Sequence, residues 1–167
     1  MATYTLINSN VLSSSAASVT FSSIPATYTD LVLKCSMRGA LGGTASSIDF
    51  TFNSITSDYS KTQVRGDGTT ADSFNSSGSS AMVLSTTVNQ SGATSNTFSN
   101  MEIYIPNYAG STYKVASIDG ATENNATEAY RTAIAGLLQN TAAITSLTIT
   151  ANLVSGSSFY LYGISNA

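Results

Sequence analysis

The chain contains very few of the side chains on which enzymes rely for chemistry. Its 167 residues include no histidine, no tryptophan and one cysteine, and only 9% of them are charged. General acid–base, nucleophilic and metal chemistry draw mainly on His, Cys, Asp, Glu and Lys. A Ser-His-Asp triad is impossible without histidine. The composition therefore predicts a structural or binding protein that is not an enzyme and has no cofactor, no metal and no small-molecule substrate.

The scarcity of charge also restricts the partners that the sequence predicts. A net charge of −3, with only six scattered Lys and Arg residues, leaves no basic patch for nucleic-acid phosphates. No segment approaches the roughly 20 consecutive apolar residues that cross a bilayer. The first residues lack the basic and apolar regions of a secretory signal. We therefore expect no nucleic-acid partner, no membrane association and no signal peptide.

What the chain does contain is serine and threonine, which make up roughly 30% of it, about double the usual share. Short runs that alternate apolar and polar residues recur between clusters of Gly, Ser, Asn and Thr, as in strands separated by turns. In residues 46–55, Ile48, Phe50 and Phe52 share one parity and therefore one face of a strand. The predicted strands are 2–7, 17–22, 30–38, 46–55, 81–87, 98–105, 112–118, 144–151 and 158–164.

Two segments are less regular. Residues 127–139 fit a helix capped by Thr127, but they also alternate with period two, and the flanking strands favour a strand. Residues 56–80 are polar, and we predict a long surface loop there, with at most a short strand at 62–65. The fold class predicted is all-β: a single antiparallel β-sandwich domain over residues 1–167, jelly-roll-like, with about eight to ten strands.

The single cysteine, Cys35, lies in the apolar run 30–38 at the same parity as Leu31, Leu33 and Met37. A lone cysteine in such a position is typical of a small buried hydrophobic residue, and a reactive thiol is the weaker alternative. We therefore predict that Cys35 is buried.

The polar segment contains the tripeptide Arg65-Gly66-Asp67, which matches an integrin-binding sequence. Asp67 followed by Gly68 is also a common turn, because both residue types tolerate a positive φ, and we predict the turn. Asp67 and Asp72 could offer oxygen ligands to a hard cation. The full spacing of a calcium-binding loop is absent, so we predict no metal site.

Three carboxylates lie close together in sequence, Asp119, Glu123 and Glu128. Glycoside hydrolysis needs two carboxylates that flank a sugar bond. Proximity along the chain does not place such a pair across a cleft, and the segment is typical of a polar loop. The hypothesis of a glycosidase therefore depends on these three residues alone.

Tyrosines are the most informative side chains for a binding role. Tyr104, Tyr108 and Tyr113 cluster around a Pro-Asn-Tyr-Ala-Gly turn, and Tyr160 and Tyr162 have the opposite parity to Phe159 and Leu161. If the latter pair faces the core, Tyr160 and Tyr162 face outward, as interface anchors or sugar-stacking platforms do. The alternative is that they pack against a second sheet. The five tyrosines are our candidate protein-interface residues.

Several runs resemble small β-sandwich virion proteins of tailed bacteriophages, particularly those of cyanobacterial and marine hosts. The resemblance covers nearly the whole chain except residues 56–97. The runs that carry it are SVTFSSIPATYTDLVLK, MEIYIPNYAGSTYK, ENNATEAY, AAITSLTI and SSFYLYGIS.

This resemblance implies a non-enzymatic virion protein, often a homotrimer, made in the host cytoplasm and found on the capsid exterior. The implied function is that of a capsid decoration or cement protein, which binds the lattice of the major capsid protein and stabilises the head. The alternative is a receptor-binding module of a tail fibre or knob that recognises a host glycan. The proposed loop at 56–80 and the outward tyrosines would serve that alternative.

Overall fold

Alternating inward and outward side chains organise this chain into strands. The computed structural model describes residues 1–125 and 128–165, and these form twelve β-strands and no helix. The strands are β1 (Thr3–Val11), β2 (Ala16–Phe21), β3 (Asp30–Met37), β4 (Ala45–Phe52), β5 (Tyr59–Gly66), β6 (Ala71–Ser79), β7 (Met82–Asn89), β8 (Ser99–Ile105), β9 (Lys114–Ala121), β10 (Arg131–Leu138), β11 (Leu147–Leu153) and β12 (Ser158–Ser165).

The strands form two antiparallel sheets that pack as a β-sandwich, which confirms the predicted fold class. One sheet has eight strands in the order β1-β12-β3-β8-β9-β10-β5-β6, and the other has four in the order β2-β11-β4-β7. The first four strands of the large sheet, together with the small sheet, have the strand order of a jelly roll. Twelve strands slightly exceed the predicted eight to ten.

The other four strands extend one sheet of this jelly roll. The β5–β6 hairpin is inserted between β4 and β7, and the β9–β10 pair is inserted between β8 and β11. Both pairs add to the free side of β8, so the large sheet becomes twice as wide as the small one. Strand β7 lies over β5, β8 and β10 and covers part of the inward side of the extension.

A core of inward side chains fills the space between the sheets. Phe50 and Phe52 are fully buried, with ring centroids 4.9 Å apart at an interplanar angle of 78°. On β3 the structure confirms that Cys35 is buried at 4% exposure. Burial raises the pKa of its thiol well above the ordinary value, which keeps the sulfur unreactive.

The prediction of a long loop at 56–80 is wrong, because residues 59–66 and 71–79 form the β5–β6 hairpin. The inward positions of β5 include Lys61 and Gln63, which are buried although they are polar. Alternation of apolar and polar residues therefore cannot reveal this strand from the sequence.

The prediction of a strand rather than a helix within 127–139 is confirmed by β10. Its interrupting residue, Gly136, faces inward, and a β-carbon there would overlap the sulfur of Met82 on β7. The helix cap considered at Thr127 lies outside the described residues.

Beneath the extension, the core contains a buried amine, that of Lys61. The Lys61 Nζ donates hydrogen bonds to Gln63 Oε1 and Ser85 Oγ, both at 2.9 Å, and lies 5.2 Å from the ring centroid of Phe74. Burial lowers the pKa of Lys61 below its ordinary value because the charged form is poorly solvated there. Polar contacts therefore add to the apolar packing of Ile118, Ile134 and Leu138 at this end of the sandwich.

Candidate interaction surface

The side of the eight-stranded sheet that faces away from the small sheet, here called the outer face, collects most of the exposed apolar side chains. Strand register aligns outward residues in rows that cross all eight strands. Six large exposed apolar residues lie on it: Tyr4, Leu6, Val11, Val64, Val115 and Tyr160. Such a concentration on one sheet face is typical of an interaction surface.

One half of the outer face belongs to the jelly roll itself and is raised by bulky side chains. We call it the tyrosine half, and its members are Tyr4, Leu6, Val32, Tyr104, Tyr160 and Tyr162. Val32 stands between Tyr162 and Tyr104 in one cross-strand row and is only 2% exposed. Tyr4 meets Tyr162 edge to face, with centroids 6.4 Å apart at 68°. These contacts hold the tyrosine rings in fixed positions.

Polar contacts also fix the tyrosine half. The Tyr104 hydroxyl donates to Asp30 Oδ2 at 3.0 Å, and Asp30 Oδ1 accepts the backbone N–H of Asn107 at 2.9 Å. Burial, followed by the neighbouring Asp30 carboxylate, raises the pKa of Tyr104. An exposed ion pair joins Lys34 Nζ to Glu102 Oε2 at 2.8 Å. The hydrogen bond to Glu102 raises the pKa of Lys34.

The other half of the outer face belongs to the four inserted strands and is low and even. We call it the flat half, and its members are Thr62, Val64, Val115, Ser117, Ala133 and Ala135. All six are exposed, with Val64 at 52% and Val115 at 49%. Three shallow grooves of about 570, 470 and 350 Å³ lie along its strands. Asp119 and Arg131 form an ion pair at its border.

Three of the five candidate tyrosines lie together in the tyrosine half, namely Tyr104, Tyr160 and Tyr162. Phe159 and Leu161 are fully buried, so the predicted opposite orientation of Tyr160 and Tyr162 is what β12 shows.

Tyr113 is 56% exposed at the residue before β9. Tyr108 is fully buried, which corrects its assignment as an interface residue. Its hydroxyl donates to the carbonyl of Pro25 and accepts the backbone N–H of Tyr28 at 3.4 Å. Burial raises its pKa.

Sequence reasoning missed Tyr4 and the whole flat half. Tyr4 lies on β1 at a parity that faces outward, but only the pairing of Tyr4 with Ile164 shows which face that is. The flat half is made of small residues, which attract no attention in a sequence. The pattern that could have revealed them is the alternation along β10, where Ala133 and Ala135 are exposed and the intervening Ile134 is 3% exposed.

The three carboxylates considered for glycoside hydrolysis are each engaged in a structural contact. Asp119 pairs with Arg131 on the outer face. Glu123 Oε1 accepts the backbone N–H groups of the next two residues at 3.0 and 2.9 Å. Glu128 Oε1 accepts the hydroxyl of Tyr130 at 3.0 Å. Each of the three carboxylates therefore has a role in holding local structure.

The turn predicted at Asp67 is the turn of the β5–β6 hairpin. Asp67 Oδ1 accepts the backbone N–H groups of Thr69 and Thr70 at 2.8 and 2.7 Å, and these bonds lower its pKa. Asp72 pairs with Arg65 at 3.2 Å instead of joining Asp67. Within residues 1–125 and 128–165, no group of three or more His, Cys, Asp or Glu side chains could hold a metal ion.

No protein-family model matches the chain, and no curated protein matches its sequence. Across the described residues no helix is long and apolar enough to cross a membrane.

Proposed function

We propose that this chain is a non-enzymatic virion structural protein, and that it decorates the outside of a phage capsid. The observation that carries the proposal is the outer face, a sheet face eight strands wide that exposes six large apolar residues on a chain with few charges. Such a surface suits dense packing against other protein. The resemblance of five sequence runs to phage virion proteins gives the surface its context.

Decoration requires many copies, each bound weakly to the lattice of the major capsid protein. An assembly that engages several capsid subunits gains affinity through effective concentration, so no single contact has to be strong. A homotrimer, the assembly that the resemblance implies, would multiply the contacts in this way. Strand β1 is the candidate capsid contact, because it is an edge of its sheet and nearly all of its residues are exposed.

The proposal is tested by heating capsids with and without the purified protein and measuring the temperature at which the heads rupture. We expect bound protein to raise that temperature. Quantifying the chain against the major capsid protein in purified particles should give hundreds of copies. Equal rupture temperatures, or absence from the particle, would contradict the proposal.

A receptor-binding module of a tail fibre is the second candidate, and the exposed ring of Tyr160 is the observation that favours it. Aromatic rings at a surface can stack on sugars. The long loop expected at 56–80 to take part in glycan binding is a hairpin, so only the outward tyrosines still support this candidate. A few dozen copies or fewer per particle, with binding of the purified protein to host glycans, would favour this candidate over decoration.

A further inference from the structure

We propose that the outer face binds a second copy of this chain, with the tyrosine half of one copy lying on the flat half of the other. The inference stands apart from the virion role, since it concerns the purified chain alone. It rests on the shapes of the two halves, on the area they offer and on their charges.

The two halves differ in height in a way that makes them complementary. Tyr160 and Tyr162 project from the jelly-roll strands, while Ala133 and Ala135 leave the inserted strands low. Protein interfaces pack almost as densely as protein interiors. Tyrosine half against tyrosine half would hold the flat halves apart, whereas tyrosine half against flat half lets rings enter the grooves along the inserted strands. Each chain presents both surfaces, so a second copy complements both.

The available area matches what a stable assembly needs. Eight strands spaced by about 4.8 Å, with at least seven residues at about 3.4 Å each, span roughly 900 Å². A standard specific interface buries about 800 Å² on each partner. In such an assembly the tyrosine half of each copy binds the flat half of one neighbour, and its flat half binds the tyrosine half of one neighbour. Every copy then buries its whole outer face, whether the copies close as a pair or as a larger ring.

The charges of the outer face are compatible with such burial. The tyrosine half carries Asp30, whose carboxylate accepts hydrogen bonds from the Tyr104 hydroxyl and the Asn107 N–H. The other charges form ion pairs within the chain: Lys34 with Glu102 in the tyrosine half, and Asp119 with Arg131 in the flat half. Glu102 and Asp119 are direct cross-strand neighbours, so these pairings offset the repulsion between the two carboxylates. The charges that the contact would bury are therefore ion-paired or hydrogen-bonded within their own chain, which limits the cost of burying them.

The test uses two blocking variants and one matched control. Ala133→Lys places a positive charge in the flat half, and Tyr160→Glu places a negative charge in the tyrosine half. Thr150→Lys makes the same kind of change on an interior strand of the small sheet, at an exposed residue that faces away from the core. Far-UV circular dichroism shows that each variant is folded, and light scattering gives its mass against the 17.2 kDa of one chain.

We expect the wild type and Thr150→Lys to have a mass of two or more chains. Ala133→Lys and Tyr160→Glu should each be monomeric, with dissociation constants raised at least about 30-fold. The decisive sample is the mixture of these two variants. The intact tyrosine half of the first variant fits the intact flat half of the second, and in a closed pair the other contact sets the new lysine against the new glutamate. A one-to-one complex should therefore form although neither variant associates alone.

Three results would overturn the inference. A wild type that is monomeric from micromolar to millimolar concentration would show that a second copy does not bind the outer face. If Ala133→Lys then blocked binding to capsids, the outer face would be assigned to the capsid protein. A mixture that stays monomeric shows that the halves do not pair as proposed. Dissociation of Thr150→Lys places the contact on the small sheet. The virion role would survive any of these results if the monomer still raised the rupture temperature of capsids.

Discussion

The two sheets of this sandwich present very different surfaces to their surroundings. The side of the small sheet that faces away from the core, here called the hydroxyl face, is almost entirely polar. Its members are Ser18, Thr20, Ser47, Asp49, Thr51, Val83, Thr148 and Thr150. Thr20, Thr148 and Thr51 form one row across three strands, and the hydroxyls of Thr20 and Thr148 are 2.9 Å apart.

The contrast shows that the fold does not require exposed apolar side chains on the outer face. Threonine is a good strand residue whose hydroxyl stays compatible with water, and it serves on the hydroxyl face. None of the described large exposed apolar residues is a member of that face. The outer face could have been built in the same way. A partner that covers its valines, alanines and tyrosines is what we propose.

The largest expected effect comes from the core that both sheets share. Phe50→Ala removes a fully buried ring from β4 and should lower the free energy of unfolding by about 3–5 kcal/mol. Asp49→Ala changes the neighbouring residue on the hydroxyl face and should alter it by less than about 0.5 kcal/mol. Urea unfolding followed by circular dichroism measures both. Comparable losses would mean that the hydroxyl face supports the fold and that the contrast between the surfaces is misjudged.

A second comparison, on β10, separates what the fold requires from what the outer face requires. Gly136→Ala would press a β-carbon against Met82 and should cost about 1–3 kcal/mol of stability. Ala135→Val points outward into open space, so the free energy of unfolding should change by less than about 0.5 kcal/mol. The same Ala135→Val change should weaken self-association. If Ala135→Val destabilises the chain as much as Gly136→Ala does, then the small residues of the flat half are required for folding.

The tyrosines should divide into a structural member and surface members. Tyr108→Phe removes a buried hydroxyl that bonds the Pro25 carbonyl and the Tyr28 N–H, and should cost about 1–2 kcal/mol. Tyr160→Phe should leave stability unchanged to within about 0.5 kcal/mol. Thermal and urea unfolding of the two variants provide the measurement. An equal cost at Tyr160 would show that the tyrosine half belongs to the fold.

The smallest effect concerns Lys61, which lies beneath the flat half. Burial lowers its pKa in the folded chain below 10.5, so the unfolded chain holds the proton over the interval between the two values. Stability contributed by this group therefore rises with pH across that interval, by at most about 1.4 kcal/mol per pH unit.

The Lys61→Met variant lacks this rise, because its side chain does not titrate. The difference in free energy of unfolding between wild type and variant should shift in favour of the wild type as pH approaches 10.5. Tyrosines with raised pKa values, such as Tyr59, act in the opposite direction above pH 10 but are common to both chains. A difference that stays constant with pH would show that Lys61 is well solvated.

Much of the jelly roll could be predicted from the sequence, because its inward residues are apolar. Along β4, Ile48, Phe50 and Phe52 are all buried, and their alternation is visible in the sequence. The β5–β6 hairpin was missed since Lys61 and Gln63 occupy its inward positions. Their burial depends on partners such as Ser85, 24 residues from Lys61, and no local pattern contains that information.

The candidate surface was only partly predictable for a related reason. Parity along β12 places Tyr160 and Tyr162 outward once Phe159 is assigned to the core. Tyr108 was misplaced because its partner Pro25 is 83 residues away. The flat half depends on the order of the inserted strands, which follows from pairings between distant segments such as β10 with β5.

The most direct test of the difference between the two surfaces is the rate of maleimide labelling of Ala133→Cys and Thr150→Cys at increasing protein concentration. Cys35 is buried and its thiol pKa is raised, so it should stay silent in the folded chain. If the outer face is an interface, labelling at position 133 slows as concentration rises, while labelling at position 150 does not change. Labelling at position 133 that does not slow as concentration rises would contradict the central claim that the outer face, and not the hydroxyl face, binds a second copy of the chain.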